Sequence, residues 1–142
     1  MRALLDVNVL IALLDAGHQN HGVARTWLVS NADDGWTSSP ITQNGCVRIL
    51  SQPSYPNPVP TSVALSKLAR ACAGPKHEFW PDSVSLLDDS VVRLDRINGP
   101  RQLTDLYLLA LAVSRGGRFV TFDAAVAVSA VRRASTKHLV VI

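Results

Sequence analysis

Long apolar runs are missing from this chain of 142 residues. The longest, Leu106 to Val113, has eight residues, whereas a membrane span takes about 20. The N-terminus carries one arginine, enters a strand pattern at once and shows no small-residue cleavage site, which argues against a signal peptide. Cysteine is scarce too. Cys46 and Cys72 are isolated, match no zinc motif, and read as small core residues on predicted helices. Neither Gly-x-x-x-x-Gly-Lys nor Gly-x-Gly-x-x-Gly occurs, so no glycine loop supports nucleotide binding. Gly-x-Ser-x-Gly is also absent, which leaves Ser38, Ser39 and Ser51 without a hydrolase elbow.

What is present is a composition 47% apolar and only 18% charged, which fits one well-packed domain over residues 1–142 rather than disorder. The net charge of +3 is uneven: residues 1–60 sum to −1 and residues 61–142 to +4. A positive surplus favours polyanions such as nucleic acid, although a solvated basic face gives the same count.

Along the chain, strand and helix patterns alternate. Leu4 to Asp6 reads as a short strand, Val7 to Leu14 and His21 to Ser30 as helices, and Trp36 to Ser38 as a second strand. Pro40 suits the first turn of a helix running to Leu50. Four prolines make Gln52 to Pro60 a loop, and Thr61 or Ser62 starts a helix to Cys72. Glu78 to Trp80 reads as a strand and Pro81 to Leu87 as a short helix. Val91 to Leu94 fits either a strand or a helical turn. Pro100 begins a long helix to Ser114, ended by Gly116 and Gly117. Phe119 to Phe122 reads as a strand, Ala124 to Val131 as a helix and Leu139 to Ile142 as a last strand. Such alternation implies an α/β fold, a three-layer α/β/α sandwich with a mostly parallel central sheet.

Three aspartates stand out. Asp6 and Asp123 each close an apolar strand, and Asp105 lies near the start of a leucine-rich helix. A carboxylate among apolar residues is costly unless a cation or donor meets it. Ligands bind open parallel sheets beyond the carboxyl ends of the strands. All three acids can meet there, although Asp6 and Asp105 are 99 positions apart. Oxygen ligands without Cys or His suit a hard cation, Mg²⁺ or Mn²⁺, and such an ion assists phosphodiester cleavage. Each acid also has a plain role as a cap or helix-start charge. His18 and His21 form an H-x-x-H pair with no third ligand and read as structural.

The residues Leu4-Leu5-Asp6-Val7-Asn8-Val9-Leu10, His21-x-x-Ala24-x-x-Trp27-Leu28, Ile41-Thr42-Gln43-Asn44-Gly45, Leu103-Thr104-Asp105-x-Tyr107-Leu108 and Val120-Thr121-Phe122-Asp123 together resemble a PIN-domain ribonuclease, specifically a VapC-type toxin of a toxin–antitoxin pair. The resemblance spans essentially the whole chain. It implies a Mg²⁺- or Mn²⁺-dependent endoribonuclease, a cytoplasmic homodimer, an RNA substrate and a small cognate antitoxin. By position, Asp6, Asp105 and Asp123 are then the catalytic, metal-holding acids, with Asn8, Thr104 and Thr121 orienting them. Many members carry glutamate where this chain has Gln43, so a second metal is expected to be weaker or absent. A groove beside the proline-rich loop and helix Ser62–Cys72 is the expected dock for the antitoxin. Two rivals stay open: an aspartyl-phosphate phosphohydrolase, disfavoured by Asn8 at the position of a second Asp, and a weakened RNA- or partner-binding module.

Overall fold

The computed structural model describes residues 1–142. Strands β1 (Ala3–Leu5), β2 (Trp36–Ser38), β3 (His77–Phe79), β4 (Arg118–Thr121) and β5 (Leu139–Val141) form one sheet in the order β3-β2-β1-β4-β5. Every pairing is parallel. The strand side chains alternate faces, as the pleat requires. Ala3, Leu5 and Val120 join one apolar cluster, while Leu4 and Phe119 join the other.

Helices α1 (Val7–Leu14), α2 (His21–Ser30), α3 (Pro40–Leu50) and α4 (Thr61–Cys72) contribute to the first cluster. Helix α5 (Leu103–Ser114) contributes to the second and buries Leu106 and Leu108 through Ala112. The expected three layers are therefore present. Local chemistry sets the helix starts. Ser39 and Thr42 form a reciprocal capping box at α3, with Pro40 just inside it. Asp6 caps α1 through its own carboxylate. Gly45 brings α3 against α1, because a Cβ there would lie 2.7 Å from Val7 Cγ2.

Two expected helices do not form. Pro81 to Leu87 is an irregular strap. Val84 and Leu86 pack against the second cluster at two-residue spacing, and Leu87 is 95% exposed. That spacing fits extended chain rather than a helix. Ala124 to Val131 contains only a 3₁₀ turn at Val128–Ala130. Its backbone bonds across to another segment instead: Arg93 N–H donates to Ala130 at 2.8 Å, and Arg132 N–H to Val91 at 2.8 Å. The ambiguous stretch Val91–Leu94 is resolved as a bridge from Val92 to Val131, followed by a 3₁₀ turn over Leu94–Arg96. The long helix starts with a 3₁₀ turn at Pro100–Gln102 before α5 proper. No helix is long and apolar enough to cross a membrane.

Candidate active site

Parallel pairing puts the carboxyl ends of β1, β2 and β4 on one rim. Asp6 follows β1 there. It is 6% exposed, and both carboxylate oxygens are held. Oδ1 accepts the Val7 N–H at 2.7 Å, and Oδ2 accepts the Thr121 hydroxyl at 2.6 Å. Burial raises the Asp6 carboxyl above the usual carboxylate range, these two hydrogen bonds oppose the rise, and the charge of Asp123 adds to it.

Thr121 is the hub of this corner. It donates to Asp6, and its oxygen accepts from Asn8 Nδ2 at 3.3 Å and from the Asp123 N–H at 3.1 Å. Thr121 thus touches Asp6 directly, and Asn8 reaches it only through Thr121. Thr104 does neither: it is exposed on the first turn of α5 and no side-chain hydrogen bond ties it to an acid. Asp123 is exposed, and its Oδ1 accepts the Ala125 N–H at 2.7 Å, which turns the chain away from β4.

Asp105 comes from α5, on the other layer. Burial pushes its carboxyl up to about 6, and the charges of Asp6 and then Asp123 contribute. Asp105 therefore lies within electrostatic reach of both other acids. None of the four ion pairs of the molecule includes Asp6, Asp105 or Asp123. Arg2, Arg118 and Lys76 are spent instead on Glu78, Asp34 and Asp33. Uncompensated, mutually repelling carboxylates are the kind of arrangement found at functional sites.

As they stand, no three acidic, imidazole or thiol groups are arranged to ligate one ion. The donor set is nevertheless all oxygen, and the buried Asn8 Oδ1 has no hydrogen-bond partner. A small hard cation keeps several waters and uses one or two carboxylates directly, so a rim of spaced oxygens fits it. His18 and His21 serve the backbone, as expected: His18 Nδ1 accepts the Asn20 N–H at 3.0 Å, and His21 Nδ1 lies 2.7 Å from the Ala12 carbonyl.

A groove of about 820 Å³ runs between α3 and α4, beside the proline-rich loop, with Gln43, Val47, Arg48, Pro53, Leu65 and Cys72 in its walls. It lies where the sequence placed a docking groove. Sequence reasoning missed a partly buried polar cluster that includes Gln43 of this groove. Ser38 Oγ lies 2.9 Å from Gln43 Nε2 and 2.8 Å from His77 Nε2. Ser38 and His77 are 39 positions apart and follow no motif, so only the pairing of β2 with β3 reveals them.

The family model described as PIN domain matches residues 3–131. Ribonuclease VapC44 of Mycobacterium tuberculosis is 53% identical over 139 residues, covering 98% of each chain. Ribonuclease VapC39 of the same species is 45% identical over 131 residues, covering 92% of this chain and 94% of its own. Among solved structures, Mycobacterium tuberculosis VapC20, a Sarcin-Ricin loop cleaving toxin, superposes with a TM-score of 0.61 at 16% identity, covering 87% of this chain and 91% of its own. VapBC2 from Rickettsia felis, bound to a DNA fragment from its promoter, gives 0.57 at 16% identity over 87% and 89%. The two structures share the fold, and the sequence matches carry the kinship: the chain belongs to the PIN-domain family, among its VapC-type members.

Proposed function

We propose that this chain is the toxin of a toxin–antitoxin pair and hydrolyses RNA phosphodiester bonds at the rim formed by Asp6, Asp105 and Asp123. The observation that carries the reading is Asp105: half-buried, charge-coupled to both other acids and joined to no basic side chain. Asp6, Asp105 and Asp123 would hold Mg²⁺ or Mn²⁺. Such an ion polarises a phosphoryl oxygen and lowers the pKa of a bound water. Thr121 and Asn8 keep Asp6 aimed, and the helix cap at Val7 keeps one of its oxygens fixed.

The relatives named as ribonucleases support RNA as substrate, and the VapBC2 structure supports a partner protein. The groove between α3 and α4 is the dock we assign to a small antitoxin, and a cytoplasmic homodimer is the working form. The basic half of the chain would grip the RNA backbone, so cleavage should fall as salt rises. The test is incubation of purified protein with total RNA, with and without Mg²⁺, and mapping of the cut ends. Asp6→Ala and Asp105→Ala should abolish metal-stimulated cleavage while circular dichroism keeps the native signature. A fully active Asp105→Ala protein would defeat the proposal. Ordinary RNA binding without cleavage would favour a binding module.

A further inference from the structure

Several basic side chains of this molecule are already engaged. Arg2 and Arg118 pair with Glu78 and Asp34, and Lys76 with Asp33. Arg93 and Arg132 donate to the Ser129 and Asp89 carbonyls, and Arg115 reaches the Ser83 hydroxyl at 3.5 Å. Arg101 is different. It is exposed and takes part in none of the four ion pairs. Among the arginines without an ion pair, it alone shares a helical run with one of the three acids.

The backbone fixes that relationship. The 3₁₀ turn Pro100–Gln102 runs straight into α5. Leu103 N–H donates to the Pro100 carbonyl, and Gln102 and Leu103 hold right-handed helical angles. Gln102 Oε1 accepts the Asn98 N–H at 3.3 Å, which folds the entering turn onto the helix start. Residues four apart on a helix share a face, with Cβ atoms about 5–6 Å apart. Arg101 therefore stands about one turn before Asp105, toward solvent, while Asp105 is half-buried. The charges acting on the Asp105 carboxyl are the negative ones of Asp6 and Asp123. The Arg101 guanidinium thus leaves that carboxylate free for a cation.

We propose that Arg101 is a substrate-binding residue of the acidic rim, its guanidinium taking an RNA backbone phosphate next to the one that the cation holds. The proposal rests on the rim being the reactive site and names one residue that grips the strand there. Three carboxylates repel a polyanion. A cation among them attracts the phosphate it touches, and the neighbouring phosphate needs a second positive group. A guanidinium offers two parallel N–H donors to one phosphate. The offset of one turn, about 5.4 Å along the helix, sets Arg101 beyond the ligands of the cation but on the face of Asp105. A contact of this kind positions the strand and reads no base.

The experiment measures binding of a mixed-sequence single-stranded RNA oligonucleotide in chelator over a series of salt concentrations. Arg101→Gln should flatten the plot of log affinity against log salt by about 0.7, the share of one phosphate contact on a single strand. Arg101→Lys should keep the wild-type slope and bind more weakly, because the charge stays and the fork is lost. Arg70→Gln removes the same charge from an exposed arginine on α4 that joins no ion pair, and should keep the wild-type slope. With Mn²⁺ present, Arg101→Gln should raise the KM for cleavage roughly 10-fold with kcat little changed. Its Mn²⁺ affinity without RNA should be no weaker than that of wild type. A wild-type slope and KM in Arg101→Gln would overturn the proposal. Equal flattening in Arg70→Gln would do the same, because charge alone would then explain the loss. If wild type cleaves no RNA and Arg101→Gln still flattens the slope, the contact stands and the ribonuclease reading falls.

Discussion

Thr121 Oγ1 donates to Asp6 Oδ2 at 2.6 Å across 115 positions of sequence. The same oxygen receives the backbone N–H of Asp123, so one hydroxyl ties two of the three acids to adjacent strands. Replacing it with a shape-matched methyl tests that arrangement. Thr121→Val leaves a buried carboxylate oxygen and a backbone N–H without their partner, at a cost of about 2 kcal/mol. Urea unfolding should show the loss, and Mn²⁺ affinity should fall with it. A variant as stable as wild type would mean that the hydroxyl does not anchor the corner.

Asp105 makes metal-free stability depend on pH. Its carboxyl is pushed up to about 6 in the fold, from the usual 3.8, chiefly by burial and then by Asp6 and Asp123. A raised folded pKa gives stability that is fully present below the unfolded value and lost as pH rises through the folded one. In chelator, the melting temperature should therefore decline from about pH 4 to above about pH 6. Asp6 is shifted the same way and adds to the slope. Asp105→Asn should remove much of it. Mn²⁺ should raise the melting temperature more at neutral pH than in acid; a flat profile in the wild type would contradict the buried, coupled placement of Asp105.

Gly45 should not tolerate a methyl group. A Cβ there meets Val7 Cγ2 at 2.7 Å, closer than side chains pack. Overpacking of this kind costs about 1–3 kcal/mol, against which alanine returns up to about 1 kcal/mol in helix propensity. Gly45→Ala should destabilise on balance, and Val7→Ala in the same chain should restore part of the loss. Denaturant midpoints of the two single variants and the double variant measure the coupling.

Gln43→Glu adds a negative charge in the first half of α3 and removes the N–H that meets Ser38. Mn²⁺ should bind more tightly, with a second equivalent becoming measurable by calorimetric titration. Unchanged stoichiometry and affinity would show that position 43 has no bearing on the cation.

The order of elements was legible because strands and helices here follow simple rules. Asp6 and Asp123 punctuate apolar strands, and Pro40 marks a helix start. The two lost helices failed for a tertiary reason. Val126 and Val131 bury themselves while the backbone of 130–132 bonds to 91–93, a partner that no local window contains. Val84 and Leu86 likewise obey an extended spacing that a proline start had masked. Asp6 and Asp123 stand just beyond strands as their sequence context suggested, and Asp105 lies in the first turn of α5. Thr104 misled because it stands beside Asp105 in the same motif while its own side chain is exposed. His77 stayed hidden because a lone histidine on an edge strand carries no periodic signal.

Strand β1 lies between β2 and β4, and the latter is written near the far end of the message. A ribosome making this chain releases Asp6 early but must finish Thr121 before that carboxylate finds its hydroxyl. Long-range parallel pairing is also slow to form. Copies that stop short of β4 therefore lack Thr121, Asp123 and the strand that pairs beside β1, and hold the first acid by its local helix cap alone.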